Sequence, residues 1–378
     1  MKRVLIAEVS AAAVRHNIRA LRELLGPGVK FCAVVKNNAY GHGIDLLWRV
    51  IAEESDSLSV ASADEAMRLR ELGYEGPLLM LFCARSCGVD GEAIDRLAEL
   101  LRSDVTLTVT DPADVELIKL AAIASSRVAA VHVEMDTGMT RSGIAADHVR
   151  PLLDLIGETS ELRLDGVFTH FASADEVDAA PTVEQLDIFT NAVTRSGLSS
   201  KVIHHCDNSA ASVSLPAGRM DMVRVGLMVY GYRPAPHLAP GLDLKPALRV
   251  VSQLMQIHEV ECGTRVGYGL THRCERASRI GLVAGGYGDG YLRALSNRGM
   301  VRVGDVAAPV VGRVSMDQIT VDLTDLPGAM VGDSVELVSN DPTAPNSAEK
   351  LAAAAGTISY EILTRMDSHR MQRVLIDA

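Results

Sequence analysis

The stretch AVVKNNAYGHG, residues 33–43, begins as an apolar run and stops abruptly at Lys36. The run from Phe31 to Val35 predicts a short buried strand, and the glycines that follow predict a tight turn. A doubly wound dinucleotide-binding sheet has the pattern G-x-G-x-x-G after its first strand, and KNNAYGHG lacks this pattern. The stretch therefore favours another parallel-strand fold, with a lysine at the carboxyl end of a strand. The ordinary alternative is a solvated lysine.

Strand-like and helix-like segments alternate over the first 230 residues or so. The predicted strands cover 31–35, 57–61, 77–82, 105–110, 128–135, 164–171, 201–206 and 222–231. Helical periodicity predicts helices at 10–25, 63–72, 91–101, 111–124 and 181–193, the first with Ser10 as its N-cap. Alternating strands and helices imply a parallel sheet, and eight units predict a (β/α)8 TIM-type barrel. An open doubly wound sheet remains the alternative.

The pattern changes near residue 232, where YRPAPHLAPGLDLKP predicts a linker. Short alternating apolar segments follow it and predict a mostly-β domain, with a short helix at 347–355. We therefore expect an α/β barrel domain over residues 1–236 and a C-terminal mostly-β domain over residues 237–378.

Composition limits the possible partners. The chain has 378 residues, is 48% hydrophobic and has a formal net charge of −11. This charge argues against nucleic acid or an anionic membrane as the main partner. The start MKRVLIAEVS meets Glu8 too early for a signal peptide, and no segment has the long apolar run of a membrane helix. The six cysteines form no C-x-x-C pair, so we expect reduced thiols, no metal site and a cytoplasmic location.

Polar side chains follow several of the predicted strands, where barrel enzymes have their active sites. They are Lys36, Tyr40, Glu134, Arg141, His170, His205, Asn208, Ser209, Arg224 and Gly226. A lysine amine forms Schiff bases with carbonyl compounds, of which pyridoxal phosphate is the common cofactor. Barrel phosphate sites commonly follow the seventh and eighth strands, where the Asn-Ser pair and the glycine lie. Each residue alone has an ordinary structural interpretation, but together they indicate an active site.

Nine segments, in order over nearly the whole chain, resemble the alanine racemase family. They are AVVKNNAYGHG, MDTGMTRSG, THFASAD, HHCDNSAA, RVGLMVYG, VGYG, GYGDGY, GRVSMDQ and TISYE. The resemblance implies a pyridoxal 5'-phosphate-dependent isomerase that interconverts L- and D-alanine and supplies D-alanine for peptidoglycan. It also implies a homodimer with shared active sites.

The resemblance further implies a role for individual residues. Lys36 would carry the cofactor and act as one catalytic base, and Tyr268 of the other subunit would be the second. Arg224 would face the pyridine nitrogen, supported by His205, and His170 would orient Tyr268. Arg141 would bind the substrate carboxylate. The phosphate would be held by Tyr40, Asn208, Ser209, Gly226, Leu227 and Tyr360, and the second subunit would add Met316, Asp317 and the entrance residue Tyr287.

This chain departs from the family at Glu134, where many relatives have a lysine that is often carbamylated. We expect the Glu134 carboxylate to replace that group, to pair with Arg141 and to remove any need for bicarbonate. Ile358 and Tyr360 would narrow the pocket to a methyl side chain, although a serine or broader amino-acid racemase remains open. A decarboxylase and a catalytically inactive pyridoxal-phosphate carrier are further alternatives. Tyr268 and the MDTGM and GRVSMDQ segments favour racemisation over a decarboxylase of the same two-domain architecture, and the second domain with its second base argues against a single-domain carrier.

Overall fold

The N-terminal part of the chain is a nearly closed barrel of eight parallel strands, described here from a computed structural model of residues 4–377. The barrel strands are Lys30–Val34, Ser57–Val60, Leu78–Cys83, Val105–Val109, Ala129–Asp136, Leu162–Phe168, Ile203–His205 and Met222–Val225. The eighth strand pairs in parallel with the first, with Arg224 beside Cys32. Because the last strand returns to the first, the sheet curls on itself, which confirms the (β/α)8 barrel and excludes the open doubly wound sheet.

Helices surround the barrel as the alternating pattern predicted. They are Ala11–Leu25, Ile44–Glu54, Ala63–Glu71, Gly91–Arg102, Pro112–Ser125, Val149–Glu158, Ala180–Ser196 and the short Ser209–Ser214. The predicted N-cap is confirmed, because the Ser10 hydroxyl accepts a hydrogen bond from the backbone N–H of Ala13 at 2.9 Å. Three of these helices were not predicted from the sequence: Ile44–Glu54, Val149–Glu158 and Ser209–Ser214. No helix among residues 4–377 combines the length and the apolar character needed to cross a membrane.

The predicted strand at 222–231 is too long. The strand ends at Val225, and Leu227–Tyr230 form a 3₁₀ turn in which all four residues are buried. A continuous apolar run does not distinguish a buried strand from a buried turn, so periodicity could not reveal this end. Gly226 and Leu227 therefore lie beyond the end of the strand, and Gly226 lines the cleft at the barrel mouth.

The C-terminal part is a mostly-β domain, as expected. Its strands are Leu248–Val260, Arg265–Val266, His272–Arg273, Ser278–Ala284, Met300–Val303, Val306–Pro309, Gln318–Asp322 and Ser334–Val338, followed by helices Ala348–Ala355 and Ser359–Arg365. Two further strands come from the chain ends. Ile6–Ser10 pairs antiparallel with Leu248–Val260 and parallel with Gln372–Ile376. The first strand of the chain thus joins the second sheet, a long-range pairing that was not predicted from the sequence. The boundary at residue 236 stays a prediction.

Candidate active site

A cleft of about 950 Å³ opens where the barrel strands end, and most of the predicted site residues line it. These are Lys36, Tyr40, Glu134, Arg141, His170, Asn208, Ser209, Arg224, Gly226 and Tyr360. His205 and Leu227 are fully buried and lie outside the lining of the cleft. Tyr268, Tyr287, Met316 and Asp317 do not line it either. The predicted residues alone therefore bring an amine, two guanidinium groups, a carboxylate and several hydroxyls into one cleft.

The backbone after Lys36 is left-handed over four consecutive residues. Asn37, Asn38, Ala39 and Tyr40 have φ between 50° and 54°. Asparagine tolerates this conformation, but each left-handed L-residue costs roughly 1–2 kcal/mol in general. A strained turn of this kind persists only where its surroundings hold it in place.

Three features hold this left-handed turn. At its start, the backbone N–H of Asn37 donates to Glu65 Oε1 at 2.6 Å. At its end, the backbone N–H of Ile44 donates to Asn38 Oδ1 at 2.8 Å. The Tyr40 ring is buried 5.1 Å from the Tyr230 ring, between their centroids. The turn is therefore fixed at both ends, with the lysine immediately before it.

The environment of Lys36 favours its neutral, nucleophilic form. Burial, followed by the positive charge of Arg141, lowers the pKa of the Lys36 amine, while the carboxylate of Glu65 opposes this shift. An amine must lose its proton before it can attack a carbonyl or accept a proton from carbon. A lowered pKa therefore suits Lys36 to both tasks.

Several contacts fix the Arg224 side chain in the cleft, and only 3% of its surface is exposed. Its Nη1 donates to His205 Nδ1 at 2.7 Å, and its Nη2 donates to the carbonyl of Thr169 at 2.8 Å. The guanidinium also lies over the Phe168 ring, 5.0 Å from the centroid. These contacts hold a permanent positive charge in one orientation at the barrel mouth.

A chain of neutral histidines extends from Arg224 into the barrel. His205 Nδ1 must accept from the protonated guanidinium, so its Nε2 carries the hydrogen and donates to His132 Nδ1 at 2.8 Å. Burial, then the charge of Arg224, lowers the pKa of His205 well below its usual value. Burial lowers the pKa of His132 to about 4. His170 lies 3.4 Å from Arg224 Nη2 and has its pKa lowered for the same two reasons.

Hydroxyl and amide groups cluster around the turn after the eighth strand. The backbone N–H of Gly226 donates to Ser209 Oγ at 2.9 Å. Asn208 caps the helix Ser209–Ser214 through its side-chain oxygen. A Cβ at Gly226 would lie 2.2 Å from the Tyr40 hydroxyl oxygen, so only glycine fits. The Tyr360 ring is 6.1 Å from that of Tyr40.

The predicted ion pair between Glu134 and Arg141 is wrong. Among residues 4–377 no ion pair joins these two side chains; instead the Ser142 hydroxyl donates to Glu134 Oε2 at 2.6 Å. Glu134 is buried on the fifth barrel strand, whereas Arg141 is exposed on the turn that follows. The side chain of this turn that contacts the carboxylate is Ser142. Burial raises the pKa of Glu134, and the Ser142 hydroxyl and the charges of Arg224 and Arg141 oppose that shift.

The remaining predicted residues lie on exposed loops of the C-terminal domain. Tyr268 is 71% exposed, Met316 55% and Tyr287 43%. The Tyr287 and Met316 loops are joined, because the backbone N–H of Gly288 donates to the Met316 carbonyl at 2.8 Å. Asp317 forms an ion pair with Arg370 at 2.5 Å. These side chains are therefore on the surface of this chain and are available to a second copy.

Sequence reasoning missed three residues that support the cleft: Glu65, His132 and Ser142. Only Glu65 had a signal, since SADE at 62–65 is a capping-box pattern. That pattern does not disclose the second contact of its carboxylate, with Asn37. His132 bonds to His205, 73 residues further along the chain, and Ser142 bonds to Glu134, eight residues before it. No local sequence pattern indicates either contact.

The fold and the cleft define a two-domain barrel enzyme with a lysine in the cleft at the mouth of its barrel. The family models for the alanine racemase N-terminal and C-terminal domains match residues 9–234 and 247–375. An alanine racemase of Desulfovibrio desulfuricans is 37% identical over 98% of both chains. One of Syntrophobacter fumaroxidans is 37% identical over 97% of this chain and 96% of its own.

Solved structures of alanine racemases are also similar to this chain. The alanine racemase of D-cycloserine-producing Streptomyces lavendulae superposes with a TM-score of 0.92 and 33% identity, over 100% of this chain and 98% of that one. The biosynthetic alanine racemase of Pseudomonas aeruginosa gives a TM-score of 0.86 and 33% identity, over 99% and 100%. The chain belongs to the alanine racemase family and is an isomerase.

Proposed function

We propose that the protein interconverts L-alanine and D-alanine by two-base proton transfer with pyridoxal 5'-phosphate as cofactor, and so supplies D-alanine for peptidoglycan. One observation carries the proposal: Lys36, Arg224 and the hydroxyl cluster around Gly226 line the same cleft. The names of the relatives support alanine as the substrate.

The residues present fit this cofactor. Lys36 has the lowered pKa that Schiff-base formation requires. Among residues 4–377, no protein acceptor contacts Arg224 Nε, so its N–H is available to a ring nitrogen. The space that a Cβ at Gly226 would fill is bordered by the Tyr40 hydroxyl, where a phosphate would find donors. Tyr40, Asn208, Ser209, Gly226, Leu227 and Tyr360 would together form the phosphate site.

Pyridoxal phosphate, when bound, would supply the electron sink that makes the Cα proton of alanine removable. Lys36 would take or return this proton on one face of Cα. Tyr268 of the partner subunit would act on the other face, oriented by His170, and Arg141 would bind the substrate carboxylate. A base on each face is what inversion at carbon requires.

Arg224 would limit side reactions. Its guanidinium keeps its proton at any working pH and donates to a neutral His205, so it would donate a hydrogen bond to a ring nitrogen without transferring the proton. The cofactor ring would then take up less of the developing negative charge, which favours reprotonation at Cα over transamination. The experimental check is the ratio of racemisation to transamination in an Arg224→Glu variant, which we expect to fall.

The active assembly would be a homodimer with two shared sites in the cytoplasm. Tyr268, Tyr287 and Met316 are exposed and stand outside the cleft of their own chain. A two-fold axis would bring these loops, with Asp317, to the partner's cleft and the partner's loops to this one. Each site would then be incomplete in a monomer.

The first experiment mixes the holoenzyme with L-alanine in deuterium oxide. We expect optical rotation to fall to zero while deuterium enters Cα, and borohydride reduction followed by peptide mass mapping to locate the cofactor on Lys36. Lys36→Ala is the control and should do neither. A reduced Lys36 adduct with no loss of rotation would discard alanine, and repeating the assay with serine would then test the broader racemase. Absence of any adduct would overturn the proposal.

A further inference from the structure

The carboxylate of Glu65 connects two neighbouring strand ends at the barrel mouth. Glu65 is at the third position of the helix Ala63–Glu71 and forms a capping box with Ser62. Its Oε2 accepts the backbone N–H of Ser62 at 3.3 Å and that of Ala61 at 2.8 Å. A capping box needs only the Ser62 contact. The other oxygen, Oε1, extends to the preceding strand and accepts the backbone N–H of Asn37 at 2.6 Å.

The position of that extra bond matters because Asn37 directly follows Lys36. The peptide unit that joins them immediately precedes the four left-handed residues 37–40. The other end of the turn is held independently by Asn38 and Ile44. Glu65 is therefore the side chain that fixes the turn at the lysine end, and its bond is charge-assisted.

We infer that Glu65 is a positioning residue that holds Lys36 in its reactive orientation, through the backbone of Asn37 and not through contact with substrate or cofactor. The inference rests on the proposed function of Lys36. Without this carboxylate, the Asn37 N–H would lose its acceptor and the strained turn could relax towards right-handed backbone, which would move the amine. Two charged groups shift the pKa of that amine: Arg141 lowers it and Glu65 itself raises it.

The test compares Glu65→Ala with Ser62→Ala in the full chain. Ser62→Ala is the matched control, because it removes the cap of the same helix and leaves the Asn37 contact in place. Two quantities are measured: the dissociation constant for pyridoxal phosphate, and the rate at which acetic anhydride modifies Lys36 in cofactor-free protein, by peptide mass mapping. Thermal unfolding reports the structural cost of each change.

We expect Glu65→Ala to weaken cofactor binding by about tenfold or more and to change the Lys36 modification rate and its pH profile. Ser62→Ala should lower the unfolding temperature and leave both quantities within about twofold of wild type. If Glu65→Ala does not fold, Glu65→Gln replaces it, and we expect a smaller change in the same direction because an amide has one acceptor oxygen.

Wild-type cofactor binding and Lys36 modification in the Glu65 variants, with only a lower unfolding temperature, would overturn the inference and leave Glu65 a helix cap. Failure of wild-type protein to bind pyridoxal phosphate would overturn the proposed function instead. The Lys36 modification rate would still decide the role of Glu65 in that case, since that measurement uses no cofactor.

Discussion

Arg224 donates to His205 across 2.7 Å in the interior of the barrel, where the arginine is 3% exposed and the histidine is fully buried. No carboxylate among residues 4–377 forms an ion pair with this guanidinium. The guanidinium instead contacts the neutral His205 imidazole, the Thr169 carbonyl and the face of the Phe168 ring. Burial of a cation without an anionic partner is costly, so a functional reason for the arrangement is expected.

Replacement of Arg224 by lysine should lower kcat/KM by about 100-fold, because one ammonium cannot reach both His205 and the Thr169 carbonyl and misplacement at an active site is costly. Steady-state racemisation kinetics are the measurement. Arg219→Lys is the control, because Arg219 bonds backbone carbonyls outside the cleft. Equal activity of the two variants would contradict a role for the fixed guanidinium.

Mixing two inactive variants should restore racemisation activity. Lys36→Ala and Tyr268→Phe would each abolish racemisation as homodimers, yet a mixed dimer would contain one site with both bases intact. After subunit exchange in equal amounts we expect about a quarter of wild-type activity. The measurement is racemisation before and after mixing. A mixture that stays inactive would mean that Lys36 and Tyr268 do not act across an interface.

Activity should not depend on bicarbonate, because the Glu134 carboxylate is already present in the cleft. We expect protein prepared in carbonate-free buffer to have full activity and to gain nothing when bicarbonate is added. Ser142→Ala, which removes the hydrogen bond to that carboxylate, should raise KM about threefold to tenfold by loosening the turn that carries Arg141. Rescue of carbonate-free enzyme by bicarbonate would refute the proposed replacement.

Stability should depend on pH through Asp207, which is fully buried and whose Oδ2 has no hydrogen-bond partner. Burial raises its pKa from 3.8 to about 7, although the charge of Arg224 opposes the shift. The folded state therefore binds a proton that the unfolded state has released between these values, and this contribution to stability is lost as pH rises towards 7.

Asp207→Asn should remove that loss. We compare the free energy of unfolding of the variant with that of wild type at each pH. The variant's value minus the wild-type value should be about 2 kcal/mol larger at pH 8 than at pH 5. Urea unfolding at the two pH values, at matched protein concentration, provides the comparison. A stability difference that is the same at both pH values would show that Asp207 ionises normally in the folded protein.

Much of this architecture was readable from local pattern. The alternation of apolar runs and helical segments identified eight barrel strands, because each strand and helix signals itself through its own periodicity. Ser10 was identifiable as an N-cap because its acceptor role spans only three residues. The ordered motifs placed Lys36 and Arg224 in one site. Local pattern failed where apolar runs change conformation, as at Gly226, and where a strand pairs far along the chain, as Ile6–Ser10 does.

The sequence by itself determined the class of fold, the family and ten of the residues that line the cleft, because these depend on periodicity and on short motifs. Only the tertiary structure decided which partners hold those residues: Ser142 and not Arg141 on Glu134, Glu65 on the backbone after Lys36, and His132 behind His205. Most of these contacts join different strands or helices. Their geometry is set by how the barrel closes and by which side chains are buried together, which no local pattern encodes.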